Sequence, residues 1–191
     1  MRHVISALVM NEPGVLASVA GLFSARGFNI DSLVVGRTEN ADLSRMTVVC
    51  SGDDNTLEQI RKQLAKLVPV VKVRDYTGAQ YVERDLCLVT VAVGPEQRSE
   101  VLEIVNLFRG RVVDVAKASL MVEIAGTEEK IEAMVELLKP YGIKELARTG
   151  VIAMARGTQQ AKDDAAEKAA QPAGKRKRSL DAPAQAALPP S

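Results

Sequence analysis

Twice along the chain the spacing of apolar residues passes from a period of two to a period near 3.6 and back in the same order, and that repetition leaves few folds open. Residues 4–10 alternate as a strand. From Pro13 to about Arg26, the residues Val15, Leu16, Val19, Leu22 and Phe23 line one face of an amphipathic helix that Gly27 is suited to stop. Residues 28–36 and 43–50 carry two further apolar runs, and the polar stretch 38–42 between them makes a hairpin the simplest reading. Asp53, Asp54, Asn55 and Thr56 offer capping oxygens to a second helix marked by Leu57, Ile60, Leu64 and Leu67. Pro69 ends it, and Val70, Val71 and Val73 open a fourth strand that runs toward Tyr76. The predicted order is βαββαβ.

The second half returns to that order with little direct residue identity. Residues 86–93 form an apolar strand closed by Gly94 and Pro95, and Val101, Leu102, Ile104, Val105 and Phe108 line a helix that stops near Gly110. Residues 112–116 and 120–124 are two more strands. Thr127 is placed to cap a helix with Glu128 and Glu129 in its first turn and Ile131, Met134, Val135, Leu137 and Leu138 on its buried face. Pro140 stops that helix, and residues 151–154 supply the last strand. The fold class is therefore α+β, with two ferredoxin-like units, 1–78 and 79–157, joined near residues 77–82. Right-handed crossovers bring the first strand of each unit beside its third, which makes a four-stranded antiparallel sheet with both helices on one face. The other face stays bare, and homodimerisation is its expected cover. Residues 158–191, rich in Ala and Pro, are predicted to be a disordered tail. There Lys175, Arg176, Lys177 and Arg178, with Asp163, Asp164, Glu167 and Asp181 nearby, fit a solvated cluster better than a nucleic-acid patch.

The stretch Asn11, Glu12, Pro13, Gly14, Val15, Leu16 carries the chemistry. Asn11 is expected to cap the helix through its side-chain oxygen, Pro13 suits the first helical turn, and Gly14 leaves the helix-start N–H groups bare to a carboxylate. The same residues serve equally as an ordinary strand-to-helix turn. Other chemistries have little to build on. His3 is the only histidine and is expected at the surface, and Cys50 and Cys87 lie in apolar runs without metal-ligand spacing, as reduced core residues. Arg26, Asp31, Arg45 and Glu83 form no catalytic spacing, and no glycine-rich nucleotide loop is present. The net charge of +1 argues against general affinity for nucleic acid or membranes. An RNA-binding sheet of this order needs stacking aromatics, whereas the central strands read Val4-Ile5-Ser6-Ala7-Leu8 and Met46-Thr47-Val48-Val49. No apolar run approaches the ~20 residues that span a bilayer, and the N-terminus enters a strand at once, so a cytoplasmic location is expected.

Residues 1 to about 157 resemble the regulatory, or small, subunits of acetolactate synthase (acetohydroxyacid synthase), which begin with an ACT domain. The likeness is carried by residues 11–16, by Gly21-Leu22-Phe23-Ser24-Ala25-Arg26-Gly27-Phe28-Asn29-Ile30-Asp31-Ser32-Leu33, by Leu43-Ser44-Arg45-Met46-Thr47, and by Leu57-Glu58-Gln59-Ile60 through Lys66-Leu67. It continues with Val82-Glu83-Arg84-Asp85, Phe108-Arg109-Gly110 and Arg148-Thr149-Gly150-Val151. The resemblance implies no catalysis by this chain. It implies activation of a separate catalytic subunit, which carries thiamine diphosphate, Mg and FAD, together with feedback inhibition by a branched-chain amino acid, usually valine. That subunit joins two pyruvates, or pyruvate and 2-oxobutyrate, at the start of valine, leucine and isoleucine biosynthesis. It also implies a homodimer through the ACT domains. Asn11, Pro13, Gly14, Val15 and Leu16 of one chain would then hold the effector, and Asn29 and Ile30 of the other would close over it. The loop 35–42 is the place where effector preference would vary. An ACT-type amino-acid sensor for a different partner is the alternative reading.

Overall fold

The computed structural model describes residues 1–157, so the expectations for the tail and its basic cluster lie outside the described residues. In the first half, β1 (Arg2–Met10), α1 (Val15–Ala25), β2 (Ser32–Arg37), β3 (Leu43–Ser51), α2 (Asp54–Leu64) and β4 (Val70–Asp75) follow the predicted order. The sheet runs β2-β3-β1-β4, every pair antiparallel, with β1 beside β3 from Arg2↔Ser51 to Met10↔Leu43. Alternation decides the faces. Ile5, Ala7 and Val9 of β1 and Met46, Val48 and Cys50 of β3 point to the helices, where Val15, Val19 and Phe23 of α1 and Leu57, Ile60 and Leu64 of α2 close the core.

The second half has β5 (Tyr81–Ala92), α3 (Arg98–Leu107), β6 (Arg111–Ala116), β7 (Ser119–Gly126), α4 (Glu128–Leu138), β8 (Ile143–Arg148) and β9 (Ile152–Ala155). Its sheet runs β6-β7-β5-β8. Cys87, Val89 and Val91 meet Val101 and Val105 of α3 and Ile131, Met134 and Leu138 of α4 in a second core. Two ferredoxin-like units are thus present, as the pattern predicts. The α4 face is narrower than expected, because Leu137 is exposed.

Three expectations are corrected. The fourth strand of the second unit is β8, which the sequence reading passed over. Lys144, Glu145 and Arg148 interrupt its apolar pattern, and it stands at a sheet edge where polar residues are tolerated. The predicted last strand is β9, an addition that pairs with the start of β5 from Tyr81↔Ala155 to Arg84↔Ile152. Second, the bare face of the first sheet is partly covered from within the chain. Val151 and Ala153 pack with Val4, Val49 and Tyr76 in a third cluster, the Tyr76 hydroxyl donates to the Ala153 carbonyl at 3.3 Å, and Tyr76 stacks on Tyr81. Third, His3 is 1% exposed, not a surface residue. Its ring nitrogens meet Thr77 Oγ1 at 3.2 Å and the Gly52 carbonyl at 3.0 Å, partners that a buried imidazole requires. Residues Met1–Arg156 form one compact unit.

Candidate effector site

The turn between β1 and α1 is built differently from the expected capped helix. Asn11 does not cap α1. Its side-chain nitrogen donates to the Ala41 carbonyl at 2.9 Å and its oxygen accepts from Ser44 Oγ at 3.1 Å, so it ties the turn to the β2–β3 hairpin. Its backbone N–H donates to the Asp42 carbonyl at 2.8 Å. Pro13 precedes the helix, and Gly14 is the residue before its first turn, with φ of 85° and no side-chain cap. That left-handed conformation is open to glycine and disfavoured for most other residues. A Cβ at Gly14 would meet nothing within 4 Å, so the helix start faces open space. The first N–H groups of any α-helix lack intrahelical partners and carry the positive end of the dipole; here the Val15 N–H makes a long contact of 3.5 Å to the Glu12 carbonyl, and no side chain caps the start.

Beside this helix start lies a cavity of ≈ 390 Å³ lined by Met10, Glu12, Pro13, Val15, Ser18, Val68 and Pro69. Val15 is buried and presents only part of its surface, whereas Leu16 is 47% exposed. Sequence reasoning missed Val68 and Pro69. They arrive because β1 and β4 are neighbours, with the Met10 N–H donating to the Pro69 carbonyl at 2.8 Å. Val68, 97% exposed, is an apolar residue facing solvent at the cavity wall. Glu12, exposed, adds a carboxylate to the cavity lining that sequence reasoning gave no role.

Asn29 and Ile30 are not brought to this cavity. They follow the far end of α1, and a helix of 11 residues separates the two groups by roughly 16 Å at 1.5 Å per residue. Asn29 is exposed and donates to Asp31 Oδ1 at 2.8 Å, whose other oxygen accepts from Ser51 Oγ at 2.7 Å. Ile30 is half-buried against the first core. The four residues weighed as catalytic candidates are scattered. Arg26 is exposed at the C-terminal end of α1, Arg45 donates to Ser6 Oγ at 3.2 Å, Glu83 pairs with Arg2 at 3.1 Å, and Asp31 is held as described. Cys50 and Cys87 are free and buried, and burial pushes both thiols above their ordinary value, with Asp31 and Asp75 adding to the shift at Cys50, and at Cys87 the Arg148 charge opposing it and Asp85 adding to it. Among the described residues no group of His, Cys, Asp and Glu is placed to hold a metal, and no helix is long and apolar enough to cross a membrane.

A second polar centre lies within the second unit. Asp85, 2% exposed, accepts from Arg148 Nε at 2.7 Å, from Thr149 Oγ1 at 3.2 Å and from the Gly150 N–H at 3.1 Å. Burial alone would lower the Arg148 pKa, but its hydrogen bonds to Asp85 and Glu132 outweigh that and raise it.

Two family profiles match. The profile described as the AHAS small subunit-like ACT domain covers residues 5–72, and the one described as the small subunit of acetolactate synthase covers residues 84–157. A probable acetolactate synthase small subunit of Archaeoglobus fulgidus is 54% identical over 160 residues, 84% of this chain and 100% of that protein. The acetolactate synthase small subunit of Bacillus subtilis is 48% identical over 161 residues, 84% of this chain and 94% of its own length. The crystal structure of the acetolactate synthase small subunit from Thermotoga maritima superposes with a TM-score of 0.76 at 44% identity, covering 82% of this chain and 98% of that one.

Proposed function

Because the chain belongs to the acetolactate synthase small-subunit family, whose members are the regulatory and not the catalytic part of the holoenzyme, we propose that it activates the catalytic subunit and makes it inhibitable by valine. The observation that carries the effector site is Gly14, a left-handed glycine at the head of α1 beside an open cavity. A carboxylate docks on the bare N–H groups there. The Asn11 oxygen has a second lone pair to spare after accepting from Ser44, and with Glu12 it takes the ammonium. Met10, Val15 and Val68 of the cavity lining offer apolar surface to a short branched side chain, while Leu16, exposed next to Val15, stands outside that lining. Asn29 and Ile30 stand too far away in the same chain, so in this reading they close the cavity from a second copy in a cytoplasmic homodimer. Thiamine diphosphate, Mg and FAD belong to the catalytic subunit.

The test is acetolactate production by the catalytic subunit of the same genome, with and without this protein, across a valine titration. Activation that valine then suppresses supports the reading. No activation moves the function to an amino-acid sensor for another partner. Gly14→Asp is expected to raise the valine concentration for half-inhibition by about 10- to 100-fold, the equivalent of one lost charge-assisted hydrogen bond of about 1.5–3 kcal/mol, with activation retained. Gly14→Asn, whose side chain tolerates the same backbone without bringing a charge, is expected to keep most of the inhibition.

A further inference from the structure

The residues that would close the effector cavity, Asn29 and Ile30, run through Asp31 into Ser32, and Ser32 is a point where the first unit grips the second. The Val151 N–H donates to Ser32 Oγ at 3.1 Å across 119 residues of sequence. At Gly150, φ is +84°, and a Cβ would stand 2.6 Å from Ser32 Oγ and 2.9 Å from Val34 Cγ2. The turn thus admits no side chain, for a conformational and a steric reason at once. On its other side the Gly150 N–H is held by buried Asp85, and Asp85 by Arg148. Arg148 reaches α4 through Glu132 at 2.8 Å, and α4 is reached from the first unit a second time by Arg2 on Glu128 at 3.0 Å. Ser32 therefore has no slack against the turn. A shift of residues 29–31 that reaches Ser32 must either move residues 150 and 151 or break the contact.

We propose that Ser32 and the turn Gly150-Val151 form the joint that carries effector occupancy from the first unit to the second, so that Ser32 and Gly150 are positioning residues for inhibition and not part of the binding site. The proposal rests on the valine reading above. A ligand shifts an equilibrium only through contacts that differ between two states, and this joint makes a change at one end felt at the other.

The experiment uses the full chain with its catalytic subunit and valine as the probe, and measures three quantities for the wild type, Ser32→Ala and Gly150→Ala. They are the valine Kd by calorimetry, the fraction of activity that saturating valine removes, and hydrogen exchange over residues 149–153 with and without valine. For Ser32→Ala the expected result is a Kd within about twofold of wild type, less than half of the wild-type inhibition, and no valine-dependent change in exchange at 149–153 where the wild type shows one. Gly150→Ala is expected to shift inhibition further in the same direction. Wild-type inhibition in both variants overturns the joint, as does a loss of inhibition fully accounted for by weaker binding. If the wild type itself neither binds valine nor is inhibited by it, the functional reading fails first and the joint with it.

Discussion

At the scale of single residues, the positions that matter most are those whose side chains, or lack of one, leave no alternative. Asp85 is the clearest case, because three donors depend on its carboxylate at a site 2% exposed. Asp85→Ala is expected to destabilise the protein by about 2–4 kcal/mol, read from the urea midpoint, since it leaves part of the Arg148 charge and the Gly150 N–H without a partner. The thiols give a pH dependence with a definite sign. Burial raises the folded-state pKa of Cys50 and Cys87 above the ordinary value of 9.0, so the folded chain binds more protons than the unfolded chain as pH climbs past that value. Their contribution is fully present below about pH 9 and is lost above it. The urea midpoint of the wild type is expected to fall between pH 8.5 and about 10.5 more steeply than that of Cys50→Ala/Cys87→Ala. Equal slopes would show that the thiols are not the cause. The cysteines were legible in the sequence because each sits inside an apolar run. His3 was not, because its burial depends on Thr77 and Gly52, far along the chain.

At the scale of elements, the helices were the most legible. Their starts follow from local chemistry at α2 and α4, where the Thr56 N–H donates to Asp53 at 2.7 Å and the Lys130 N–H to Thr127 at 3.4 Å. Asp53→Ala is expected to destabilise by about 1 kcal/mol, and Leu138→Ala, which opens the second core, by about 2–5 kcal/mol in the same urea measurement. The start of α1 escaped the same reasoning. Asn11 had the right side chain at a plausible distance, but its oxygen and nitrogen are taken by the hairpin that β3 brings alongside β1. Strand β8 was missed because an edge strand need not alternate cleanly. The displaced identity of β9 followed from that omission.

At the scale of the whole molecule, the C-terminal strand does what neither unit does alone. β9 completes the start of β5 and sets Val151 and Ala153 against the face of the first sheet that carries Val4 and Val49. The Ala- and Pro-rich composition of residues 158–191 offers little periodic apolar surface, so a chain ending at Gly157 is expected to unfold at the midpoint of the full chain. One ending at Thr149, without that strand, is expected to lose stability and to unfold in two steps, because the units no longer share a core. The sequence by itself determined the first βαββαβ unit, the second as far as its second helix, the cores of both and the residues at the head of the first helix, since these rest on periodicity and on turn chemistry within a few neighbours. Only the tertiary structure decided that the extra strand crosses to the first unit, that Asn11 turns to the hairpin, and that Ser32 meets Gly150. Each of those is a contact between residues distant in sequence, made possible by the antiparallel order of strands around it and left without trace in the local pattern of either partner.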